Sequence, residues 1–160
     1  NTLFGISTLA FSRSVTIESQ GFSGSSPLAI DATALMQVLQ NLVINAIEAM
    51  AGGGAVTLTL RPGHQHIEIE ISDNGPGISP AHLESLFEPF FTTKKTGTGL
   101  GLWLCRKMIN EAGGQLQCTS TLGSGTRMTI TLPLVLDNRT MIDGNSIDVV
   151  ISPKEHVWTL

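Results

Sequence analysis

Asp73-Asn74-Gly75-Pro76-Gly77-Ile78 closes an alternating strand pattern, and Gly97-Thr98-Gly99-Leu100-Gly101-Leu102 opens a helical one. Upstream of both, a helical pattern between Asp31 and Gly52 carries Asn41 and Asn45 one turn apart. Either glycine run alone is a weak signal, because glycine-rich tetrapeptides and hexapeptides also occur in ordinary turns. An asparagine helix, then D-x-G-x-G after a strand, then G-x-G-x-G at a helix start is a far more specific order. Taken together they read as three parts of one site, whose chemistry follows from the residue types.

Outward from these runs the periodicity supplies the rest. Leu35, Val38, Leu39, Leu42, Ala46 and Ala49 recur at spacings of three and four until Gly52-Gly53-Gly54 ends the first helix. Before it, Ser14-Val15-Thr16-Ile17-Glu18 alternates like a half-buried strand, and 21–27 reads as a loop. Val56 to Arg61 and Ile67 to Ser72 form a predicted hairpin turning at Pro62-Gly63. Ile67, Ile69 and Ile71 face one side of it, so His64, His66, Glu68 and Glu70 are expected to point to solvent, with a metal-binding H-x-H as the alternative. Pro80 to Leu86 is a short helix candidate, and the polar stretch from Thr92 to Thr98 reads as a mobile loop. A second amphipathic helix is expected to carry Leu100, Trp103, Leu104, Met108 and Ala112 toward the core and to stop at Gly113-Gly114. Two final strands, Gln115 to Ser120 and Arg127 to Leu132, flank Gly123-Ser124-Gly125. The predicted fold class is α/β: a two-layer α/β sandwich with a mixed, mostly antiparallel sheet and helices on one face.

Composition narrows the function. A chain of 160 residues suits a single domain of ordinary size with a real core. A formal charge of −4 with only nine Lys and Arg argues against a nucleic-acid partner, which demands a basic face. Phosphate chemistry must then rest on backbone amides, a metal and a few local cations. Cys105 and Cys118 lack the spacing of a metal knuckle or redox pair and read as buried thiols in a reducing cytosol. No apolar run is long enough to span a bilayer, so direct membrane insertion is not expected of this segment and the expected location is cytoplasmic, with membrane anchoring of the full-length protein left open. A start at Asn1 reads as an excerpt from a longer protein.

At about 100° per residue, Asn41, Asn45 and Glu48 share one narrow stripe of the first helix. A polar stripe is usually just solvated. Asparagine, though, is a poor solvated-helix residue, because it lowers helix propensity. An amide oxygen is a neutral, hard ligand suited to Mg²⁺, which makes Asn45 a candidate metal ligand and Asn41 its neighbour at the phosphates. A carboxylate at Asp73 can accept a hydrogen bond from the exocyclic amine of adenine, whereas guanine would present a carbonyl. This favours ATP over GTP. Gly75 and Gly77 let backbone lie against a purine ring, although D-N-G-P-G read alone is a strand-ending turn. Gly97, Gly99 and Gly101 place unpaired N–H groups and a helix dipole where a triphosphate would sit. Lys94 and Lys95 just upstream could close over it as a cationic lid, with simple solvation as the competing reading.

These residues also carry a resemblance. Asn41-Leu42-Val43-Ile44-Asn45-Ala46-Ile47-Glu48-Ala49-Met50 resembles the N box of sensor histidine kinases, and Asp73 to Ile78 their G1 box. Phe87-Glu88-Pro89-Phe90-Phe91-Thr92-Thr93-Lys94 resembles the F box, Gly97 to Leu102 the G2 box, and Gly123-Ser124-Gly125-Thr126 the last nucleotide-binding turn. The wording is similar to that of the nitrogen-regulatory and hybrid kinase branch, and the match runs from about Val15 to Pro133. The resemblance implies the Bergerat ATP-binding fold of the GHKL superfamily, with ATP and Mg²⁺ bound. It implies Asn45 for the metal, catalytic roles for Asn41, Asn45 and Lys94, Asp73 for adenine, and Thr126 supporting Asp73 through water. Gly75, Gly77, Ile78, Phe87, Lys94, Thr98, Gly99, Leu100, Gly101 and Leu102 complete the implied nucleotide site. In the hydrolytic branch a glutamate general base holds the place of Asn41; an amide cannot take a proton. Transfer of the γ-phosphoryl group to a histidine is therefore expected, with an ATP hydrolase of the same fold and a non-catalytic nucleotide sensor as alternatives. Glu48 stands where many such kinases carry a basic residue.

The family's acceptor histidine lies on an upstream dimerising hairpin, and none of His64, His66, His82 or His156 is in such a setting. The implied partners are that histidine-bearing dimerisation domain of the same kinase and a response regulator or receiver domain. Residues 1–13 resemble the end of the hairpin or its linker, 14–136 form the expected catalytic domain, and 137–146 read as a linker. From 147 to 160, Ile147 to Ile151 and the helix start at Ser152-Pro153-Lys154-Glu155 read as the truncated opening of a further, receiver-like domain, although Ser152-Pro153 stands where a receiver carries its acidic pair.

Overall fold

A computed structural model describes residues 12–20, 27–134 and 147–148, with 6, 9 and 10. The hairpin-end reading of 1–13 lies largely outside them, as do residues 21–26 of the expected 21–27 loop, the 137–146 linker and the helix start at Ser152, while Pro27 is found in a strand rather than a loop.

Strands β1 (Val15–Gln20), β3 (Gly54–Pro62), β4 (His66–Asp73), β5 (Gln115–Thr121) and β6 (Gly125–Pro133) form one sheet in the order β1-β3-β4-β6-β5. β1 runs parallel to β3, and every other pair is antiparallel. Helices α1 (Ala32–Ala49) and α3 (Gly101–Glu111) pack on each other, α1 against β3 and β4 and α3 against β5. A short α2 (Pro80–Ser85) lies between β4 and α3. Outside the main sheet, β2 (Pro27–Leu28) pairs antiparallel with β7 (Ile147–Asp148). The expected two-layer sandwich is what forms.

Local chemistry accounts for the boundaries. Asp31 caps α1, its Oδ1 accepting from Thr33 N at 2.9 Å and Ala34 N at 3.1 Å. Leu35, Val38, Leu42 and Ala46 of the predicted stripe are buried and Leu39 is half-buried, whereas Ala49 at the end of the helix is exposed and Val43 and Ile47, outside that stripe, are buried. On α3 the expected stripe is corrected: Cys105 and Ile109 are the buried residues, whereas Trp103 and Leu104 are 37% and 38% exposed. Packed against both α1 and β5, the helix turns Cys105 and Ile109 inward, and a three-four pattern admits either stripe when apolar residues flank both.

Register builds the core in rows. Leu60, Ile69, Ile130 and Leu116 pair side by side across four strands, and Leu58, Ile71, Met128 and Cys118 form the next row. One step further the same face turns polar: Val56, Asp73, Thr126 and Ser120. With a side-chain period of two, Asp73 must therefore point under the helices rather than into solvent.

On the opposite face Glu70 departs from expectation. It is only 7% exposed, because Arg61 Nη1 reaches its Oε2 at 2.9 Å and Arg127 Nε its Oε1 at 3.5 Å. His64 and His66 are exposed as expected, and Glu68 is half-buried, 2.8 Å from Arg61. Two diagonal arginines cover one carboxylate, a cross-strand effect that alternation alone does not reveal.

Candidate functional site

The polar end of that row opens into a cleft of about 890 Å³ between α1, the sheet end and the segment before α3. Asn41, Asn45, Asp73, Gly77, Ile78, Lys94, Thr98, Gly99, Gly101, Leu102 and Thr126 line it. Residues from five separated stretches thus meet in one place. Three expected residues do not line the cleft. Gly75 stands behind Asp73, donating its N–H to Asp73 Oδ1 at 2.9 Å. Leu100 is half-buried at the cap of α3, and Phe87 packs against the core with the Arg106 guanidinium 5.1 Å from its ring.

Asp73 is half-buried and receives a second bond from Thr126 N at 3.3 Å, again on Oδ1. Burial pushes its carboxyl above the ordinary 3.8, while the Gly75 and Thr126 N–H groups pull the other way. Thr126 is locked by Ser120, whose hydroxyl lies 3.1 Å from Thr126 Oγ1, donates to Gly125 O at 2.8 Å and accepts from Ile78 N at 2.8 Å. Ser120 was not among the expected residues; its signal was strand register, one row beyond Cys118. Gly125 has φ +103, and a Cβ there would fall 2.0 Å from Asp73 O, so the close approach of β6 to Asp73 requires glycine. Ile71, Met128, Leu42 and Ala46 supply apolar walls nearby.

At the cleft's other polar cluster the amides are oriented. Asn41 Nδ2 donates to Cys105 Sγ at 3.2 Å, and Asn45 Nδ2 approaches Asn41 Oδ1 at 3.5 Å. That leaves Asn45 Oδ1 to accept from Lys94 Nζ at 2.7 Å, and the same ammonium is paired with the Glu48 carboxylate. Gly101 abuts Asn41: a Cβ on Gly101 would fall 2.8 Å from Asn41 Nδ2. Before α3, the Thr92–Thr98 stretch has no helix or strand and is exposed throughout; Phe90 N donates to Gly99 O at 2.9 Å at its base.

Arg13 and His82 also line the cleft and were missed as site residues. Arg13 donates to Glu48 O at 3.3 Å at the end of α1; no local motif announces it. Both thiols are free, Cys105 buried and Cys118 only half-buried. Cys118 is pushed up to about 11 by burial and by the charge of Asp73. Among the described residues no group of three or more His, Cys, Asp or Glu could hold a metal, and no helix is long and apolar enough to cross a membrane. Asn45 Oδ1 and the Glu48 carboxylate, both hard oxygen donors already facing a cation, fit a magnesium ion that takes its remaining oxygens from water and phosphate.

Residues 30–136 match the family model described as histidine kinase-, DNA gyrase B-, and HSP90-like ATPase. The chain is similar to the sensor histidine kinase ZraS of Escherichia coli O157:H7, with 40% identity over 104 residues, 65% of this chain and 23% of that protein. It resembles the solved catalytic domain of histidine kinase ThkA at TM-score 0.73 and 30% identity, covering 82% of this chain and 87% of that one. It also resembles full-length ShkA, solved in complex with AMPPNP, at TM-score 0.73 and 25% identity over 83% of this chain and 28% of that one. The chain spans a quarter or less of the length of the curated relatives it matches.

Proposed function

This chain belongs to the histidine kinase-, DNA gyrase B- and HSP90-like ATPase family as the ATP-binding catalytic domain of a sensor histidine kinase, and we propose that it transfers the ATP γ-phosphoryl group to a histidine outside the chain. The observation that carries the reading is the composition of the cleft. Two carboxylates line it among the described residues, Asp73 and Glu48. Asp73 is engaged by two backbone N–H groups and Glu48 is paired with Lys94. At Asn41, where a hydrolase needs a base for water, stands an amide bonded to a thiol.

In this reading Asp73 accepts the adenine amine and so selects ATP. Gly99 and Gly101 bring backbone close to the phosphates, at the positive end of the α3 dipole. Asn45 holds Mg²⁺, which when bound neutralises phosphate oxygens and orients the reacting group. Lys94 supplies further positive charge from the segment before α3, and Asn41 positions the reacting phosphate. The natural partners are the kinase's own dimerisation hairpin and a response regulator, in the cytoplasm, and the kinase is of the nitrogen-regulatory or hybrid branch. The decisive experiment supplies ATP, Mg²⁺ and the separately purified hairpin of the parent kinase. Acid-labile phosphate on the hairpin, with little free phosphate released in its absence, is the expected result. Release of phosphate at the same rate without any hairpin would assign the chain to hydrolysis instead.

A further inference from the structure

We infer that Asn45 and Glu48 together form the seat of the divalent cation, and that the Lys94 ammonium fills this seat until a metal-bound nucleotide displaces it. The inference rests on the ATP-binding reading and adds to it a second metal ligand and an exchange step. Asn45 and Glu48 are three residues apart on α1, so their side chains project from the same stripe. Their oxygens converge on one atom: Lys94 Nζ lies 2.7 Å from Asn45 Oδ1 and is ion-paired with Glu48 Oε2.

Two features show that the seat is arranged rather than incidental. The Asn45 amide is turned so that its nitrogen faces Asn41 Oδ1, which leaves its oxygen toward the seat. The last turn of α1 is held by Arg13, which donates to Glu48 O at 3.3 Å, so the backbone bearing the carboxylate is anchored. A neutral amide oxygen and an anionic carboxylate are hard ligands that a magnesium ion accepts beside phosphate and water. An ammonium and a metal cannot occupy one point. Arrival of the metal therefore ejects Lys94, and its freed charge becomes available to the phosphates the metal brings.

The test measures ATP affinity of the whole chain by calorimetry, once in EDTA and once in MgCl₂, for wild type, Glu48→Gln and Lys94→Gln. Both side chains are more than a third exposed, 36% and 42%, and neither substitution removes core volume. The quantity read is the gain in affinity that magnesium confers. Loss of a metal ligand in Glu48→Gln should cut that gain about tenfold. Lys94→Gln should leave metal-free affinity near wild type, because without metal the ammonium is held in the seat, and should shrink the magnesium gain several-fold, because the charge that the metal frees for the phosphates is gone. If Glu48 serves only to tether the lysine, both variants will shift ATP affinity alike and leave the magnesium gain at its wild-type value, and the inference is overturned. Wild type that fails to bind ATP at all would overturn the functional reading and this inference together. Wild type that binds ATP, with an unaltered magnesium gain in both variants, would overturn the inference alone.

Discussion

Asn41 on α1 donates its side-chain amide to the thiol of Cys105 on α3, 3.2 Å across the seam between the two helices. The sulfur is buried at 2% exposure and is the first link of a line of polar groups running from Cys105 through Asn41 and Asn45 to Lys94. A primary amide has a donor end and an acceptor end, so fixing Asn41 at one end sets the orientation of Asn45 at the other.

Removing the sulfur should loosen this orientation. Cys105→Ala leaves a small void and an unpaired donor, expected to cost about 1–3 kcal/mol in chemical denaturation. Phosphoryl transfer should fall as well, and Cys105→Ser, which retains an acceptor, should recover transfer more than it recovers stability. Equal transfer by the Ala and Ser variants would show that Asn41 holds its orientation without help from α3.

Asp73 should show a conflict between stability and binding. Its folded carboxyl is raised by burial, so its contribution to stability is fully present below the unfolded value near 3.8 and is lost as pH rises through the higher folded value. At neutral pH the charged group is a liability to the empty domain. Asp73→Asn keeps an oxygen for the Gly75 and Thr126 N–H groups and is expected to melt no lower than wild type at pH 7. ATP affinity should nonetheless drop roughly ten- to a hundredfold, the loss of a charge-assisted bond of about 1.5–3 kcal/mol. Wild-type affinity should likewise begin to fall on acidification above the ordinary carboxylate range. Calorimetry that finds unchanged ATP affinity in the variant would remove Asp73 from the site.

Residues 147–160, after a linker from 137 to 146, are proposed to begin a further domain. Against this, Ile147–Asp148 makes a two-residue ladder with Pro27–Leu28, and Leu28 also bridges Leu134. A ladder this short adds little to a core already built on five strands. Deleting residues after Asp137 should leave melting temperature and ATP affinity nearly unchanged. A fall of several degrees would instead make the tail a working part of the ATP-binding domain.

Most of the architecture was legible because its signals are local. Asp31 announces the start of α1, the alternation of Ile67, Ile69 and Ile71 sets the face of β4, and the hairpin turn is written at Pro62-Gly63. What escaped depends on distance. The parallel pairing of β1 with β3 has no mark in Val15–Gln20, since a strand's partner is chosen by the whole sheet. Glu70 looked solvated until two arginines from neighbouring strands covered it. Arg13 reaches the cleft from 35 residues away, and Ser120 comes to stand behind Thr126 only through the register of β5 on β6. On α3, Trp103 and Leu104 were apolar enough to suggest core, but a helix that meets its neighbour along one edge buries Cys105 and Ile109.

Two glycines that look alike in sequence should answer differently to alanine. At Gly125 the backbone has φ +103 and the added Cβ would meet Asp73 O at 2.0 Å, an atom that cannot move without pulling β4 from the sheet. Strain of the dihedral alone costs about 1–3 kcal/mol, so Gly125→Ala should unfold at markedly lower temperature and lose ATP binding with it. At Gly101, the first residue of α3, alanine gains up to about 1 kcal/mol of helix propensity, and the atoms nearest its Cβ are those of the Asn41 amide, 2.8 Å away on a side chain that can swing. Gly101→Ala should therefore melt within a few degrees of wild type while Asn41 is pushed from its place. Because small misplacements of a positioning group cost up to about a hundredfold in rate, its phosphoryl transfer should collapse with the fold intact. The check is a melting curve beside a transfer assay on both variants: similar melting losses in the two would mean that Gly101, like Gly125, is there for the fold and not for Asn41.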